Sequence, residues 1–503
     1  MKTMVKKCMA LMLCSGLLLT ACAGGAQEGA SSTSEGENGK TTITWLNILH
    51  TASPPTDTIV DKIEEKTNTE IQFSWIPDAS KEERINTALA SDSLADIVTL
   101  TMMDNSSVRN ALKSGMFWEV RPYLDEFPNL AKISEDTRDS ASIAGKLYGV
   151  PFQKSLARNG VTIRKDWLDK LGLEVPKTTD ELMAVAKAFA EQDPDGNGKK
   201  DTTGFVDRND LIYGAFKTLG SYFGTPNNWK VTEDGKMIPE FDTDEYVATM
   251  DYMRQLYESG YINQDFAVTA KTDQQQSFAQ GKAGIYVGAL FDSKNLLNMA
   301  KGIQDDMELV VVNNITTTGN DADRAIWAAN NGIGGLLAFP KSQVKDEAEL
   351  KRLLKFVNDL LDEEVYALMT YGIEGVHYTV DAEKATTITN NELWQQEVQP
   401  LSASRPKEFG YEIHDADPLK KKADELILDN ENYAVLNPAY SLDSDTFTTQ
   451  GSELQKIITD ATYKYILGKS SLEEFKASVE NWKKSGGNAI IQEYEAAYKA
   501  IQN

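Results

Sequence analysis

The stretches ITWLNILH (43–50), TEIQFSWIP (69–77) and DIVTLTM (96–102) decide the fold of this chain. Each is typical of a β-strand, and two segments with helical patterns lie between them. Strands that alternate with helices form βαβ units, in which helices cover both faces of a sheet. Ligands of such sheets bind at the carboxyl ends of the strands. The sequence therefore predicts an α/β fold with a ligand site near the ends of these three strands.

The length of the chain requires more than one domain. The chain has 503 residues, and its fold-like part runs from about Thr41 to Asn503. A single hydrophobic core usually stops growing at roughly 250–300 residues. We therefore expect at least two domains.

The N-terminus has the features of an export signal. Three lysines among the first seven residues precede an apolar run from Cys8 to Leu19. The run is shorter than the roughly 20 apolar residues that a membrane-spanning helix needs. Residues 1–21 are therefore predicted to be a signal peptide. The sequence LTAC (19–22) resembles the bacterial lipobox, in which Cys22 is lipidated, for instance with palmitate, and becomes the mature N-terminus. An ordinary secretory signal is the alternative.

Residues 22–40 are small and polar, which predicts a flexible tether. A lipid on Cys22, a tether and then a globular body describe a protein held at the extracellular face of the bacterial cell membrane. All three cysteines, Cys8, Cys14 and Cys22, lie at or before the start of the tether. The folded part therefore contains neither disulfides nor cysteine-based metal sites.

The charge of the chain excludes some partners. The formal net charge is −25, and removal of residues 1–21 with their three lysines takes it to −28. A strongly acidic chain is a poor partner for nucleic acid or for an anionic membrane face. Solubility alone also accounts for this charge. We expect a monomer that binds no nucleic acid.

Six segments in a defined order resemble a known protein family. They are ALASDSLADIV (88–98), KLYGVPF (146–152), IRKDWLDKLGLEVPKTTDEL (163–182), GKAGIYVGALFD (281–292), YGIEGVHY (371–378) and SLEEFKASVENWKKSGGNAIIQEYEAAY (471–498). Together they are similar to family 1 extracellular solute-binding proteins, and especially to the long lipoproteins of Gram-positive carbohydrate transporters. Residues 43–102 and 146–182 carry most of this resemblance.

The resemblance implies a two-lobed Venus-flytrap fold of the type II periplasmic-binding-protein class, with mixed sheets flanked by helices. Lobe 1 would comprise residues 41–153 and 278–331, and lobe 2 residues 154–277 and 332–503 with the C-terminal helices. The chain would cross between the lobes near 152–160, 270–280 and 331–340. A solute bound between the lobes would close them by hinge motion and pass to an ABC permease.

The stretch DPDGNGKKD (193–201) resembles a calcium loop, because oxygen-bearing residues occupy alternate positions. The candidate ligands are Asp193, Asp195, Asn197, the carbonyl of Lys199, and Asp201. Position 12, where an EF-hand has a glutamate, is Gly204. Similar loops in the resembling family often have an acid after the last aspartate. Here that position is Thr202, so a weaker oxygen, a water or Asp207 would complete the shell. We expect a structural calcium, with a metal-free loop as the alternative.

Sugar sites combine flat aromatic rings with polar side chains. Trp118, Trp167 and Trp482 lie in amphipathic helical contexts and are predicted to be core residues. The tryptophans at predicted strand ends or loops are better candidates for ligand binding. The full set of predicted ligand-binding residues is Trp45, Asn47, Trp75, Asp104, Gln153, Trp229, Trp327, Asn331, Tyr371 and Arg405. Tyr371 belongs to the unusual stretch YGIEGVHY, which could line the cleft or form a tight turn.

No enzyme motif is present in the sequence. H-E-x-x-H and G-x-S-x-G are absent, and LGKSS (467–471) lacks the first glycine of a phosphate loop. A glycosidase needs only two carboxylates, which the sequence alone does not exclude. The resemblance to solute-binding proteins, together with the absence of these motifs, implies an oligosaccharide-binding receptor of an ABC importer rather than an enzyme. A peptide receptor of the same fold and, more remotely, a polysaccharide-degrading enzyme are the alternatives.

Overall fold

The computed structural model describes residues 40–51, 53–103, 105–382, 386–403, 405–406 and 417–502. The predicted signal peptide, Cys22 and nearly all of the tether lie outside these residues, as does the candidate Asp104. Within the described part of the chain, no helix combines the length and the apolar character needed to cross a membrane.

The strands occur throughout the described chain. In chain order they are β1 Thr41–Leu49, β2 Thr69–Pro77, β3 Ile97–Leu100, β4 Gly149–Gln153, β5 Asn159–Arg164, β6 Thr203–Val206, β7 Trp229–Val231, β8 Met237–Pro239, β9 Ala283–Ala289, β10 Leu309–Val312, β11 Ile326–Trp327, β12 Ile333–Ala338, β13 Tyr378–Val380, β14 Thr386–Ile388 and β15 Ala434–Val435.

Helices separate most of the strands and form the C-terminal end of the described chain. They are α1 Asp57–Thr67, α2 Lys81–Ser91, α3 Ser106–Lys113, α4 Glu135–Ser140, α5 Lys165–Leu171, α6 Thr179–Glu191, α7 Ala215–Tyr222, α8 Asp244–Glu258, α9 Lys271–Ala279, α10 Asp292–Ala300, α11 Glu347–Asp359, α12 Glu363–Thr370, α13 Asn391–Glu397, α14 Gln399–Ser402, α15 Pro418–Asn430, α16 Asp445–Ile466, α17 Leu472–Trp482 and α18 Asn488–Gln502.

The three strands predicted at the start of the fold are confirmed as β1, β2 and β3 in one sheet. The strand order of this first sheet is β2-β1-β3-β12-β4. β1 runs parallel to β2 and β3, whereas β12 runs antiparallel to β3 and β4. The helices α1 and α2 connect the parallel strands, as βαβ geometry requires. The first sheet is therefore mixed, and its parallel half carries the predicted ligand edge.

A second mixed sheet has the order β10-β5-β9-β6. β9 pairs antiparallel with β5 and parallel with β6. Every residue of β5 is buried, as are all but the last residue of β9. Strands buried on both faces are continuous apolar runs, which explains the composition of AGIYVGA in β9.

Each sheet has its own hydrophobic core, and the molecule accordingly has two lobes. The first core contains apolar residues from 43–152 and 333–401. The main core of the second lobe contains residues from 157–329 and 439–494. Removal of these two apolar sets from water is the dominant favourable contribution to folding. The predicted α/β two-lobed fold with mixed sheets is confirmed.

The expected division of the chain between the lobes is wrong for two segments. β9, which was expected in lobe 1, lies in the second sheet, and β12, which was expected in lobe 2, lies in the first. The expected crossing near 270–280 is instead α9, whose Phe278 and Ala279 pack under the second sheet with Tyr286. The apolar character of β9 and β12 predicts burial but not the sheet in which each strand is buried, because strand pairing is non-local.

The chain passes between the lobes at three places. Residues 154–158 connect β4 to β5, and residues 328–332 connect β11 to β12. A third passage follows from the positions of Leu401, which packs in the first core, and Leu419, which packs with Leu290 and Val311 of the second lobe. The first two segments run side by side. The Lys154 amide donates to the Gly332 carbonyl at 2.9 Å, and the Ala329 amide donates to the Leu156 carbonyl at 3.1 Å. Hydrogen-bonded antiparallel connections of this kind can act as a hinge.

Two stretches, Ser80–Glu83 and Thr178–Glu181, have the Ser/Thr-x-x-Glu pattern that predicts a capping box, and their outcomes differ. At α6 the Thr178 hydroxyl accepts from the Glu181 amide, and the Glu181 side chain accepts from the Thr178 amide, so this box is confirmed. At α2 the Ser80 side chain caps nothing and instead donates to the Pro77 carbonyl at 3.3 Å. The second prediction is wrong because a 3₁₀ turn at Asp78–Ser80 leads directly into α2.

Candidate ligand-binding site

The carboxyl edge of the first sheet presents one aromatic platform. Phe73 and Trp75 lie two residues apart on β2, so their side chains share one face. The rings stack with their centroids 4.7 Å apart and their planes at 20°, and both are half-buried. A stacked and partly open pair of rings offers a flat apolar surface of the kind that sugar rings require. Of the predicted residues on the first sheet, Trp75 has this geometry.

A charged cluster lies next to this platform. His50 and Asp78 follow β1 and β2, with 3.3 Å between His50 Nδ1 and Asp78 Oδ1. Lys81 Nζ lies 2.7 Å from the same carboxylate oxygen. The hydrogen bond from His50 and the ammonium of Lys81 together hold the pKa of Asp78 well below its usual range. The edge of the sheet is therefore polar beside its aromatic pair.

Trp45 and Asn47, both predicted to bind ligand, are core residues. Their side chains are 2% and 1% exposed. Trp45 Nε1 donates to Thr99 Oγ1 at 2.9 Å, and that hydroxyl donates to Asn47 Oδ1 at 2.8 Å. The Trp45 ring also packs edge-on against Phe356 at 6.2 Å. The structure therefore places these two predicted residues in the core, because α11 covers the face of β1 on which they lie.

The two predicted tryptophans of the second lobe lie in different places. Trp229 packs against the C-terminal helices, with its ring 5.2 Å from Tyr494 and 6.4 Å from Trp482. Trp327 is 4% exposed and donates from Nε1 to Thr218 Oγ1 at 3.1 Å. The structure does not bring Trp229 and Trp327 together. Trp167 and Trp482 are buried, as predicted, whereas Trp118 is only half-buried.

Trp327 lines a cavity of about 250 Å³ in the second lobe. Other lining residues include Asp210, Ile212, Phe216, Lys217, Thr225, Glu240, Tyr246, Gln455 and Tyr463. Lys217 Nζ lies 2.8 Å from Glu240 Oε2, so this cation is neutralised within the cavity wall. Burial raises the pKa of the Tyr463 phenol, which keeps it protonated as a hydrogen-bond donor. The cavity combines aromatic walls with several polar groups.

Asp207 lies close to this cavity but faces the protein interior. It follows β6, is 2% exposed, and accepts a hydrogen bond from the Ala215 amide at 3.0 Å. Burial raises the pKa of its carboxyl to about 7. Because the side chain is committed to the start of α7, the hypothesis that Asp207 completes the shell of a calcium ion finds no support.

Three cationic side chains gather where the chain passes between the lobes. Lys154 and Arg158 belong to the first connection, and Arg405 belongs to the third. Lys154 Nζ donates to the Ala403 carbonyl at 2.7 Å, which joins the two connections. Burial, together with the positive charges of Arg158 and Arg405, lowers the pKa of Lys154 to about 8. The three residues are half-buried and are named here the cation cluster.

Aromatic rings of both lobes surround the cation cluster. The guanidinium carbon of Arg158 lies 5.9 Å from the ring centre of Tyr213, whose ring lies 5.6 Å from that of Trp327. On the other side, Arg405 lies 4.1 Å above the Tyr366 ring and donates to its hydroxyl at 2.6 Å. Sequence reasoning proposed Arg405 but missed Arg158 and Tyr213. A basic residue in QKSLARN has no distinctive signal until the fold brings the connections together.

Two further predicted residues have structural contacts near the lobe connections. Asn331 exchanges two hydrogen bonds with the Asn437 backbone, donating at 3.0 Å and accepting at 2.8 Å. Gln153 Nε2 donates to Thr137 Oγ1 at 2.8 Å. Both side chains are half-buried and hold neighbouring segments in register. Nothing in these contacts requires a ligand.

The stretch YGIEGVHY forms a tight turn. His377 is fully buried, and its Nδ1 accepts from the Ile373 amide at 3.1 Å. That acceptor role leaves the proton on Nε2, which lies 3.1 Å from Glu397 Oε2. Gly372 has φ = 85°, and a Cβ there would lie 2.7 Å from the His377 ring, so glycine is required. Tyr371 packs on Tyr378 with centroids 5.4 Å apart at the side of this turn.

The predicted calcium loop folds around the side chain of Asn197. Its Nδ2 donates to Asp195 at 2.7 Å and to Asp201 at 3.0 Å, and its amide donates to Asp193 at 3.1 Å. Burial and the neighbouring Asp193 raise the pKa of Asp195. Lys199 donates its amide to Asn197 Oδ1 at 2.8 Å. Four of the predicted ligands therefore converge on one place.

Thr202 does not join them. Its hydroxyl donates to the Phe189 carbonyl at 2.7 Å, and the residue is 7% exposed, so it anchors the loop to α6. The structure thus gives the Thr202 side chain a contact with α6 and none with the other predicted ligands. Among the residues that the structure describes, no group of three or more histidine, cysteine or acidic side chains is arranged to hold a metal ion.

The sequence is similar to one protein family and, along nearly its whole length, to two proteins of Bacillus subtilis. Residues 52–366 match the family described as bacterial extracellular solute-binding protein. The chain is 48% identical over 491 residues to the polygalacturonan/rhamnogalacturonan-binding protein YtcQ of Bacillus subtilis (strain 168), covering 97% of each. It is 32% identical to the lipoprotein LipO of the same organism, covering 99% of each.

A solved structure shares the fold. The structure described as an HMO binding ABC-transporter associated solute binding protein from Bifidobacterium longum infantis ATCC 15697 superposes with a TM-score of 0.70 at 19% identity. The match covers 92% of this chain and 99% of that one. At this identity the likeness concerns the two-lobed architecture alone.

Proposed function

The chain belongs to the family of bacterial extracellular solute-binding proteins, and from that premise we propose that it captures an oligosaccharide between its lobes and delivers it to an ABC permease. The observation that carries this proposal is the 48% identity, over 97% of both chains, to a protein named for polygalacturonan and rhamnogalacturonan binding. The aligned residues include both lobes and all three connections, and therefore also the region between the lobes where a ligand would lie.

The geometry supports a sugar over a peptide. The Phe73–Trp75 platform and the aromatic wall around Trp327 supply flat apolar faces, and polar side chains lie next to both. A closed state in which both surfaces contact the same ligand would be favoured by binding, because a ligand shifts an equilibrium by its differential affinity for the two states. A receptor of this kind requires no catalytic group.

The test is binding of the mature chain to a panel of oligosaccharides and peptides, followed by isothermal titration calorimetry and product analysis by mass spectrometry. We expect saturable binding of at least one oligosaccharide, with quenching of tryptophan fluorescence and no change in ligand mass. Binding of peptides in preference to glycans would favour the peptide receptor. Shortened glycan products would instead identify an enzyme.

Lipidation of Cys22 would hold the receptor at the cell surface. The sequence LTAC and the polar tether support this part of the proposal. Cys22→Ser should release the protein from the membrane fraction into the medium without changing ligand affinity. Retention of the variant in the membrane fraction would contradict lipid anchoring.

Calcium binding to the 193–201 loop is the last part of the proposal. Asp193, Asp195, Asp201 and the side-chain oxygen of Asn197 would hold the ion, because hard oxygen donors suit calcium. Burial and the neighbouring Asp193 raise the pKa of Asp195, and a bound cation would offset that repulsion between the two carboxylates. Calcium should raise the melting temperature of the chelator-treated protein, and Asp195→Asn should abolish that rise. An unchanged melting temperature and no heat on titration would contradict this role.

A further inference from the structure

The cation cluster concentrates positive charge in a chain whose formal net charge is −25. Lys154, Arg158 and Arg405 lie close enough for the two arginines to lower the pKa of the lysine. Like charges gathered in one half-buried place repel one another, and the fold would be more stable without this repulsion. A bound anion would offset this repulsion, and groups with perturbed pKa values of this kind cluster at functional sites.

Two members of the cluster, Lys154 and Arg158, have no carboxylate partner among the described residues. In the part of the chain that the structure describes, neither Lys154 nor Arg158 forms an ion pair, and every influence on the pKa of Lys154 lowers it. Their contacts are the Ala403 carbonyl and the faces of the Phe152 and Tyr213 rings. Elsewhere, buried arginines have carboxylate partners; Arg138, for example, lies 2.8 Å from Asp125.

The position of the cluster is that of an interlobe ligand. Phe152 and Tyr366 belong to or contact the first lobe, and Tyr213 and Trp327 belong to the second. The cations thus lie between aromatic rings of both lobes, at the connections between the lobes. A planar guanidinium such as that of Arg158 matches a carboxylate with two parallel hydrogen bonds.

We propose that Lys154 and Arg158, supported by Arg405, bind the carboxylate of a uronate residue in the ligand, so that this receptor selects acidic over neutral oligosaccharides. This inference rests on the proposed function and adds the charge class of the sugar and the residues that recognise it. Tyr213 would stack on the same or the adjacent sugar ring. The overall negative charge of the chain then disfavours acidic glycans that do not reach the cluster.

The experiment compares trigalacturonate with its fully methyl-esterified form by isothermal titration calorimetry. The two probes have the same length and linkage and differ only in charge. The wild type should bind the acid roughly tenfold or more tightly, as expected for charge-assisted hydrogen bonds. Arg158→Gln should remove most of that preference and weaken the dependence of affinity on salt, and Arg158→Lys should restore part of it.

A matched control is available in the same lobe. Arg254 also stacks on a tyrosine, 5.1 Å above Tyr465, and pairs with Glu258 on α8. Arg254→Gln should leave the affinity for both probes unchanged. Retained binding of the methyl ester by Arg158→Gln shows that this variant folds and keeps its cleft.

The outcomes separate the two proposals. Equal affinity of the wild type for both probes, or an unchanged preference in Arg158→Gln, overturns the role of the cation cluster and leaves oligosaccharide capture standing. If the wild type binds neither these probes nor any glycan of the wider panel, that result contradicts the proposed function and, with it, this inference.

Discussion

Lys154 should make ligand affinity depend on pH. Burial and the charges of Arg158 and Arg405 hold its pKa at about 8 in the free protein. A bound carboxylate favours the protonated form and raises that pKa in the complex. Affinity for trigalacturonate should therefore be highest below pH 8 and fall as the pH rises from 8 towards the pKa of the complex.

Calorimetry at a series of pH values, in two buffers with different heats of ionisation, measures this directly. Proton uptake on binding should appear near pH 8 for the acid and be absent for the methyl ester. Lys154→Met should show neither the uptake nor the fall in affinity. A pH-independent affinity in the wild type would exclude Lys154 from contact with the ligand charge.

Asp207 should make the fold less stable as the pH rises from the acidic range to neutrality. Its buried carboxyl has a pKa of about 7 in the folded protein, against about 3.9 in an unfolded chain. The folded state holds the proton more tightly, so this contribution to stability is complete below pH ~3.9 and is lost as the pH rises to about 7. The free energy of unfolding attributable to Asp207 should fall by up to about 4 kcal/mol over that window.

Urea denaturation at several pH values tests this, with Asp207→Asn as the variant. The amide oxygen can still accept from the Ala215 amide, so the variant should gain stability relative to the wild type at pH values above about 7. The control is Asp61→Asn on the exposed surface of α1, which should change little. An Asp207→Asn variant whose stability relative to the wild type does not change with pH would contradict the assignment.

At the scale of elements, the turn at 371–378 depends on one buried histidine. His377 Nδ1 holds the Ile373 amide, and Nε2 reaches Glu397, which also accepts from the Thr56 hydroxyl at 2.8 Å. The turn thereby ties α13 to the start of α1. His377→Ala would leave the 8%-exposed Glu397 without this partner and should cost about 2–3 kcal/mol of stability.

Chemical denaturation of His377→Ala provides the measurement. The half-exposed His50, which pairs with Asp78, supplies the control, because His50→Ala should cost less than about 1 kcal/mol. Similar losses in the two variants would show that burial of the histidine–glutamate pair is not what stabilises this turn.

Local sequence patterns predicted elements well where local physics determines them. The strands β1 to β3 follow from runs of β-branched and aromatic residues, and the capping box at α6 follows from Thr178 and Glu181. Which strand residues are buried and which are open to a ligand was predicted less well. In the sequence, Trp45 and Trp75 both lie near the end of a predicted strand. In the structure, α11 covers Trp45, whereas Trp75 is half-buried.

The site was the least predictable part because it depends on non-local pairing. β9 and β12 each lie in the lobe opposite to the expected one. The apolar sequence of a strand shows that the strand is buried but does not show in which sheet it pairs. The cation cluster joins residues almost 250 positions apart, through the bond from Lys154 to Ala403. Loop basic residues such as Arg158 look ordinary in sequence and acquire their role only when the connections meet.

At the scale of the whole molecule, the segment before α16 belongs to both lobes. β15 pairs with β11 of the second lobe, whereas Tyr440 packs against the first core. Arg109 of α3 in the first lobe is 3% exposed and donates to the Leu442 carbonyl at 2.7 Å. This buried bond joins the two lobes through Leu442, which lies far along the chain from the connection at 154–158.

The coupling predicts that the two lobes unfold together. The wild type should show one calorimetric transition, and Arg109→Met should separate it into two, because loss of a buried charged hydrogen bond costs about 2–3 kcal/mol at the junction alone. Arg138→Met is the matched control: Arg138 is equally buried but pairs with Asp125 inside the first lobe. That variant should lower the melting temperature while keeping a single transition. Two transitions in the wild type would show that the lobes unfold independently, and a single transition in Arg109→Met would show that something other than this contact couples them.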